Sequence, residues 1–290
     1  MKSLHDKVVA ITGAGSGIGR ALALELASQG ARLSLADVDG TGLDETVRLL
    51  GNHTAFVQRV DVGVRQQVED WAQATHAHFG RVDVVINNAG VALSGPVNSV
   101  SIEDYEWVMQ VNFWGVVYGT KAFLPLMEPG GGHIVNISSV FGLSAQPLMS
   151  GYNASKYAVR GFTESLRQDL RMQGSKVSAT CVFPGGIRTA IARTARVSGS
   201  FEAATGTRPQ DAKATFERLF INSPESAARA IVRGIRRDRA RVLIGPDARL
   251  LDWCVRLMPS LYQWVFTTVV RWRFLRRARH QPRGSRPVTP

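Results

Sequence analysis

Seven short apolar runs, rich in Val and Ile, alternate along the chain with six longer segments that have helical spacing. The predicted strands are Lys7–Ile11, Arg32–Ala36, Ala55–Val60, Val82–Ile86, His133–Ser138, Lys176–Val182 and Arg241–Ile244. The predicted helices are Ile18–Gln29, Leu43–Leu50, Val64–Phe79, Ile102–Met127, Tyr152–Gln173 and Pro224–Arg236. Strands separated by helices run parallel, joined by right-handed crossovers with helices on both faces. The sequence therefore predicts an α/β fold, a doubly wound, Rossmann-like parallel sheet whose ligand crevice lies beyond the carboxyl ends of the strands.

The other segments depart from this alternation. Residues 1–246 are expected to form the single Rossmann-like catalytic domain. Within it, Arg188–Asn222 lacks a predicted strand and is rich in small and polar residues, so we expect a mobile substrate loop beside the crevice. Residues 247–281 are expected to form a helical C-terminal extension, and residues 282–290 a disordered tail, because they are polar and rich in Pro.

Positive charge is concentrated at the C-terminal end. The formal net charge is +12, but residues 1–228 carry 20 basic and 20 acidic side chains. From Arg229 to the end there are 15 arginines against three aspartates. The excess belongs to this end and not to the catalytic body, so no nucleic-acid partner is expected.

Cysteine usage and hydropathy indicate the compartment. Cys181 and Cys254 are the only cysteines, too few for a disulfide framework, which favours a reducing, cytoplasmic location. The charged segment Met1–Lys7 does not resemble a signal peptide. The longest uncharged apolar run, Leu257–Val270, has 14 residues and is too short to span a bilayer. No metal site is predicted.

A glycine-rich turn, Thr12–Gly19, directly follows the first predicted strand and opens the first helix. Such glycines let the backbone approach a pyrophosphate, whose charge is stabilised by the free N–H groups and the positive end of the helix dipole. The spacing differs from the commoner G-x-G-x-x-G pattern, and a tight strand–helix turn is the alternative. The predicted cofactor contacts here are Gly13, Ser16, Gly17, Ile18 and Gly19.

Asp37 supports a dinucleotide over a simple turn. It ends the second predicted strand, 18 residues after Gly19, where a carboxylate can accept hydrogen bonds from the adenosine ribose hydroxyls. The same carboxylate repels a 2′-phosphate, and neither Val38 nor Ser16 offers a cation. We therefore expect NAD as the cofactor in preference to NADP.

Six motifs together resemble the short-chain dehydrogenase/reductase family, in order and in spacing. They are Thr12–Gly19, Asn87–Gly90, Asn112, Ser139, the pair Tyr152 and Lys156, and Pro184–Gly185. The resemblance covers Lys7–Gly245, and each motif falls in the expected strand, loop or helix context. It implies a seven-stranded parallel sheet, a proton-relay tetrad, and a homodimer or homotetramer.

The tetrad residues also have a physical rationale. Tyr152 and Lys156 are four residues apart and share one helix face, where a neighbouring ammonium favours the phenolate of a tyrosine. Tyr152 is then expected to exchange the proton of the alcohol. The resemblance implies that Ser139 binds the substrate oxygen, that Lys156 also binds the nicotinamide ribose, and that Asn112 holds a water linking Lys156 to solvent. Two alternatives stay open: Ser138 is a rival to Ser139, and Asn112 can simply cap or kink its helix.

Further cofactor contacts follow from the resemblance. Asp61 and Val62 are expected to touch adenine, and Asn88, Ala89 and Gly90 to line its edge. The segment expected under the nicotinamide carboxamide contributes Pro184, Gly185, Ile187 and Thr189.

The predicted substrate pocket is lined by Val91–Ser94, Val140–Ala145, Phe183 and the loop Arg188–Asn222. These residues are mostly small or apolar, which favours a lipophilic or uncharged substrate. Arg188, Arg193 and Arg196 are the alternative, since they can receive a carboxylate.

The predicted function is hydride transfer between nicotinamide and a secondary alcohol or ketone. The alternatives are a catalytically inactive dinucleotide sensor or scaffold, and a sugar epimerase or dehydratase.

The extension, with predicted helices Ala248–Met258 and Leu261–Ala278, interleaves Trp and Arg. That pattern suits a peripheral membrane contact, a subunit contact, or a helix packed on its own domain. We expect the extension to be dispensable for the chemistry.

Overall fold

The computed structural model describes residues 1–127, 129–199, 201–202, 207–208, 210–211, 213–214 and 220–280, with side chains described up to residue 272. The predicted disordered tail, 282–290, lies outside the described residues.

Seven parallel strands form the main sheet, as predicted. They are β1 (Val8–Thr12), β2 (Arg32–Asp37), β3 (Ala55–Arg59), β4 (Val84–Asn87), β6 (Gly132–Ile137), β7 (Val177–Pro184) and β9 (Arg241–Ile244). Their order across the sheet is β3-β2-β1-β4-β6-β7-β9. The order reverses between β1 and β4, and the crevice outside such a reversal is where ligands bind in open α/β sheets.

Helices cover both faces of the sheet. They are α1 (Gly17–Ala27), α2 (Gly40–Leu50), α3 (Arg65–Phe79), α4 (Ile102–Met109), α5 (Gly115–Met127), α6 (Ser150–Met172), α7 (Pro224–Arg236), α8 (Pro246–Leu257) and α9 (Leu261–His280). On one face, Leu22 of α1 and Ile231 of α7 are fully buried in one apolar cluster with strand residues. On the other face, Trp71 of α3 packs edge-on against Phe123 of α5, with ring centroids 4.9 Å apart. Burial on both faces explains why the strands read as continuous apolar runs.

One predicted helix is interrupted. The segment Ile102–Met127 was expected to be continuous, but Gln110–Trp114 forms a π-helical turn between α4 and α5. The wider turn contains the predicted site residue Asn112, and such turns are often found at functional sites.

The prediction that Arg188–Asn222 lacks a strand is wrong. Its residues Arg196–Val197 form β8, which pairs in parallel with β5 (Leu93–Ser94). At its two ends, Ile187 and Asn222 form a β-bridge. Strands of two residues are too short to show any hydrophobic period, so the sequence carried no signal for them.

The C-terminal extension forms two helices, as predicted, and packs on the catalytic body. Ala248 is fully buried. Asp252 of α8 pairs with Arg241 of β9 at 3.0 Å. Tyr262 of α9 is buried, and its hydroxyl accepts a hydrogen bond from Ala145 N at 3.4 Å. Within the described part of the chain, no helix is long and apolar enough to cross a membrane.

Candidate active site

The glycine turn is tied directly to the loop that follows β4. The hydroxyl of Thr12 accepts hydrogen bonds from Asn88 N (2.9 Å) and Ala89 N (3.1 Å). Asn88 Nδ2 donates to Thr12 O at 2.9 Å and to Gly13 O at 3.2 Å. Gly13 has φ +67°, and a Cβ there would lie only 2.8 Å from Asn88 Nδ2. A Cβ on Gly19 would collide with Gly13 O, so both positions require glycine.

The first turn of α1 faces open space. Ser16 precedes the helix, is exposed, and makes no side-chain cap, which leaves the backbone N–H groups of the first turn available to an anion. Gly17 has φ +52°, and a Cβ there would lie 3.0 Å from Cγ2 of Thr189. Ile18 packs on the core beneath the turn. Ser16, Gly17 and Thr189 line a cavity of about 500 Å³ together with Arg188.

Asp37 lies at the end of β2, beside the glycine turn, as predicted. Its Oδ2 accepts from Gly15 N at 2.8 Å and its Oδ1 from Asp39 N at 3.0 Å. Two cations that sequence reasoning missed also lie at this end. Arg20 donates to the carbonyls of Gly15 and Gly42. Arg59, from β3, donates to Val38 O at 2.9 Å.

The predicted adenine pair lies at the end of β3. Asp61 accepts from Gly63 N at 2.8 Å, which shapes the turn, and Val62 is buried against Gly115 of α5. A Cβ on Gly115 would lie 3.0 Å from Cγ2 of Val62, so this helix approaches the turn closely.

Tyr152 and Ser139 come together at the strand ends. Both side chains are buried, and Ser139 lies close enough to Tyr152 to lower the pKa of its phenol. Ser139 also accepts from Phe141 N at 3.2 Å. Ser138 points the other way and donates to Lys156 O at 2.8 Å. The structure therefore separates the two serines: only Ser139 faces Tyr152.

Lys156 lies beneath Tyr152, with its Nζ 5.7 Å from the centre of the tyrosine ring. The ammonium donates to Ile137 O at 3.1 Å. Asn112 Oδ1 accepts from Val91 N at 2.8 Å, and its Nδ2 donates to Val91 O at 2.9 Å. A Cβ placed on Gly90 would lie 3.2 Å from Asn112 Oδ1 and 3.3 Å from Lys156 Nζ, so both atoms flank the same glycine.

Burial dominates the electrostatics of this group. It raises the pKa of Tyr152 to about 12, against a smaller lowering by the hydrogen bond from Ser139. Burial also lowers the pKa of Lys156 to about 8. Burial therefore opposes both charged forms in the protein alone, and the expectation that Lys156 favours the phenolate stays a prediction. At neutral pH Tyr152 holds its proton.

The predicted nicotinamide segment is clamped by a residue that sequence reasoning missed. Asp247, in the first turn of α8, accepts from Gly186 N at 2.7 Å through Oδ2 and from Asn222 Nδ2 at 3.1 Å through Oδ1. Asn222 N donates to Gly186 O at 3.0 Å, and Arg188 N donates to Asn222 O at 3.0 Å. A Cβ on Gly185 would collide with the Asp247 carboxylate.

This clamp bears on the expectation about the extension. Asp247, in the first turn of the extension, holds the segment that contains Pro184, Gly185 and Ile187, whereas dispensability of the extension for the chemistry stays a prediction. An aspartate in the first turn of a helix is ordinarily a favourable dipole contact, so its position in sequence gave no sign of a second contact across the sheet.

Apolar side chains pack around Tyr152, while the apolar substrate pocket itself stays a prediction. Phe141 packs edge-on against Tyr152 at 5.6 Å, and Leu93 and Met149 are buried in the same cluster. The guanidinium of Arg196 is already engaged within the protein. Its Nη1 pairs with Asp104 Oδ1 at 2.9 Å, and its Cζ lies 3.7 Å from the centroid of the Trp107 ring. Among the described residues, no three His, Cys, Asp or Glu side chains are arranged to hold a metal ion.

Known proteins share this arrangement. A family model described as short chain dehydrogenase matches residues 7–198. A protein of Mycobacterium tuberculosis, provisionally assigned as the oxidoreductase SadH, is 51% identical over 266 residues, which cover 91% of this chain and 95% of that protein. A short chain dehydrogenase/reductase from Burkholderia phymatum, solved in complex with NAD, superposes with a TM-score of 0.81 at 34% identity and covers 91% of this chain and 97% of that one. A short chain dehydrogenase from Mycobacterium paratuberculosis, solved bound to NAD, gives a TM-score of 0.71 at 27% identity, covering 86% of this chain and 99% of that one.

The buried ammonium of Lys156 costs folding stability at neutral pH. Its pKa is 10.5 when exposed and about 8 when folded, so between those values only the unfolded chain holds the proton. The free energy of unfolding therefore gains a contribution as pH rises from 8 to 10.5 and loses it as pH falls through 8. We expect Lys156→Met to stabilise the protein by about 1–3 kcal/mol at neutral pH, with a smaller gain in alkali, in urea unfolding.

Lys121→Met, at an exposed lysine of α5, is the matched control and should show no such pH-dependent gain. A Lys156→Met protein no more stable than wild type at neutral pH would contradict the buried-charge interpretation.

Asp247 holds the nicotinamide segment through a charged acceptor, so Asp247→Ala should free the amides of Gly186 and Arg188. We expect their hydrogen exchange to accelerate by roughly tenfold or more, as the loss of a hydrogen bond to a charged group implies. Mass spectrometry of peptides spanning residues 184–189 measures this. Asp252→Ala, on the same helix but paired with Arg241 and Arg256, should leave these peptides unchanged. Equal exchange in both variants would show that the clamp does not hold the loop.

Proposed function

The chain belongs to the short-chain dehydrogenase/reductase family, and we propose that it is an NAD-dependent oxidoreductase that interconverts a lipophilic secondary alcohol and its ketone. The observation that carries the proposal is the buried pair of hydroxyls, Tyr152 and Ser139, held at the end of the sheet above Lys156. Such a pair can bind one substrate oxygen from two sides and exchange a proton with it.

The residues present fit a dinucleotide. Gly13 and Gly19 let the turn close tightly on the loop after β4, and the uncapped first turn of α1 offers N–H groups to the charge of a diphosphate. Asp37 lies where a ribose with free hydroxyls is favoured over one that carries a phosphate. Arg20 already donates to two carbonyls, which supports NAD in preference to NADP. When bound, NAD supplies the acceptor or donor of the hydride.

Tyr152 handles the proton. With a pKa of about 12 the phenol is protonated at neutral pH, so in ketone reduction it gives its proton to the substrate oxygen as the hydride reaches carbon. In alcohol oxidation Tyr152 first has to release its own proton, so that its phenolate oxygen can take the hydroxyl proton while the C–H bond breaks. Ser139 donates to the substrate oxygen, where negative charge develops.

Lys156 and Asn112 provide the path to solvent. The Lys156 ammonium has a pKa of about 8, so it can release and regain a proton near neutrality, which a lysine at 10.5 cannot do readily. Asn112 Oδ1 and Lys156 Nζ face the same side of Gly90, and a water between them can donate to the amide oxygen and bridge to the ammonium. The π-helical turn aims this amide inward, where a regular helix would place it differently.

The substrate is proposed to be lipophilic and uncharged. Leu93, Phe141 and Met149 surround Tyr152, and Arg196 is occupied by Asp104 and Trp107. A panel of secondary alcohols and ketones of increasing apolar size, read by the absorbance of the reduced nicotinamide, would rank them. We also propose a homodimer or homotetramer in the cytoplasm; light scattering measures the assembly.

Removing the Tyr152 hydroxyl should abolish proton exchange while leaving the fold intact. We expect Tyr152→Phe to lower kcat by at least about 10²-fold. Binding of NAD, measured by calorimetry, should stay near the wild-type value. Tyr157→Phe, the same change at the next tyrosine of α6, is the control and should keep its activity. Wild-type turnover by Tyr152→Phe would contradict the mechanism, whereas loss of activity in both variants would point to a general defect of α6.

Asp37 should set the cofactor preference. We expect Asp37→Ala to lower the ratio of kcat/KM for NAD to that for NADP by about tenfold or more, because the repulsion of the 2′-phosphate is lost. Asp39→Ala, a neighbouring acid that precedes α2, is the charge-matched control. A wild-type enzyme that already prefers NADP would overturn the assignment of Asp37.

A further inference from the structure

The outer side of the extension is an exposed apolar face, here called the α8–α9 face. Its members are large side chains that recur three or four residues apart on both helices: Leu250, Trp253, Leu257, Leu261, Trp264, Val265, Val269 and Trp272. An apolar stripe at this spacing normally faces a core, whereas scattered exposed apolar residues are common on any protein. Here the stripe faces away from the protein.

The other side of the same helices is fixed to the catalytic body. Ala248 is fully buried, Asp252 pairs with Arg241, and Tyr262 is buried with its hydroxyl on Ala145 N. The apolar residues of the stripe are therefore not the ones that attach the extension to its own domain. This rules out, for the α8–α9 face, the interpretation of a helix simply packed on its domain.

From Trp253 onward the charge has one sign. From Trp253 to the C-terminus the sequence contains eight arginines and no acidic residue. Arg249, Arg256 and Arg271 are exposed on α8 and α9. Tryptophan beside arginine is the composition that lies well in the headgroup region of a bilayer, where the ring is half apolar and the cation meets lipid phosphate.

We propose that the α8–α9 face binds the surface of an anionic lipid bilayer, with both helices lying in the plane of the headgroups. Apolar burial of the Trp and Leu side chains and attraction of the arginines to acidic lipid act together. A second copy of the chain fits less well. A two-fold contact would place this positively charged face against itself, and like charges brought together without counter-charges repel.

Vesicle sedimentation tests the apolar part of the contact. We expect wild-type protein to bind vesicles of phosphatidylcholine with about 30% phosphatidylglycerol, and Leu257→Ser/Trp264→Ser to bind at least about tenfold more weakly. These two side chains are 70% and 66% exposed, so the substitutions leave the core intact. Ile102→Ser/Met172→Ser is the matched control, at residues 68% and 81% exposed elsewhere, and should bind like wild type.

A second pair of variants tests the charge. Arg249→Gln/Arg271→Gln should lower binding to the anionic vesicles by several-fold, whereas Arg233→Gln/Arg237→Gln, at and just after the C-terminal end of α7, should have little effect. Binding should weaken as salt rises from about 0.05 to about 0.5 M and should be much weaker on vesicles of phosphatidylcholine alone. This readout needs no turnover, so it stands or falls separately from the proposed oxidoreductase activity.

Three outcomes would overturn the proposal. The first is wild-type protein that does not bind anionic vesicles at low salt. The second is equal binding by Leu257→Ser/Trp264→Ser and its control. The third is a fall in oligomeric size, in sedimentation velocity, caused by Leu257→Ser/Trp264→Ser without any vesicle binding by wild type, which would assign the face to a second copy.

Discussion

The site is organised around the contact between the glycine turn after β1 and the loop after β4. Thr12 and Asn88 exchange hydrogen bonds across the point where the strand order reverses, and Gly13 and Gly19 allow the two backbones to come that close. A side chain at either glycine would push the β4 loop outward. Because Gly90 of the same loop lies against Asn112 Oδ1 and Lys156 Nζ, such a shift would also disturb these two side chains. One set of backbone contacts thus holds both the glycine turn and the surroundings of Lys156.

Most of the fold and most of the candidate site could be predicted from the sequence because their signals are local. Continuous apolar runs predict the seven buried parallel strands, and Tyr152 and Lys156 lie one helix turn apart. The residues that were missed act across the sheet. Asp247 accepts a hydrogen bond from Gly186, which belongs to another element. Arg20 of α1 and Arg59 of β3 donate to backbone carbonyls near the end of β2. The spacing of residues along the chain does not predict these hydrogen bonds between distant elements. The two-residue strands β5 and β8 are too short to show an alternation of apolar and polar residues.

Burial of Lys156 and Tyr152 at the strand ends lowers the stability of the fold while it shifts the pKa values of both groups. A lysine and a tyrosine taken out of water both favour their neutral forms, which moves the lysine towards neutrality and holds the proton on the tyrosine. The first shift costs folding free energy, and the surrounding apolar core, from Phe183 to Leu143, has to offset it. A more stable protein could be made by removing that charge, which illustrates why functional sites are often the least stable part of a fold.

The β-bridge between Ile187 and Asn222 has a consequence for how such a protein can diversify. Ile187 and Asn222, which bound the segment 188–221, are joined to each other, and Asp247 secures that joint to the body. Extending a loop whose ends are already held together adds only a logarithmic entropy cost, about 0.6 kcal/mol for each doubling of length. Insertions and deletions between Ile187 and Asn222 can therefore change this segment without disturbing the sheet. The segment can vary while the two paired residues stay constant.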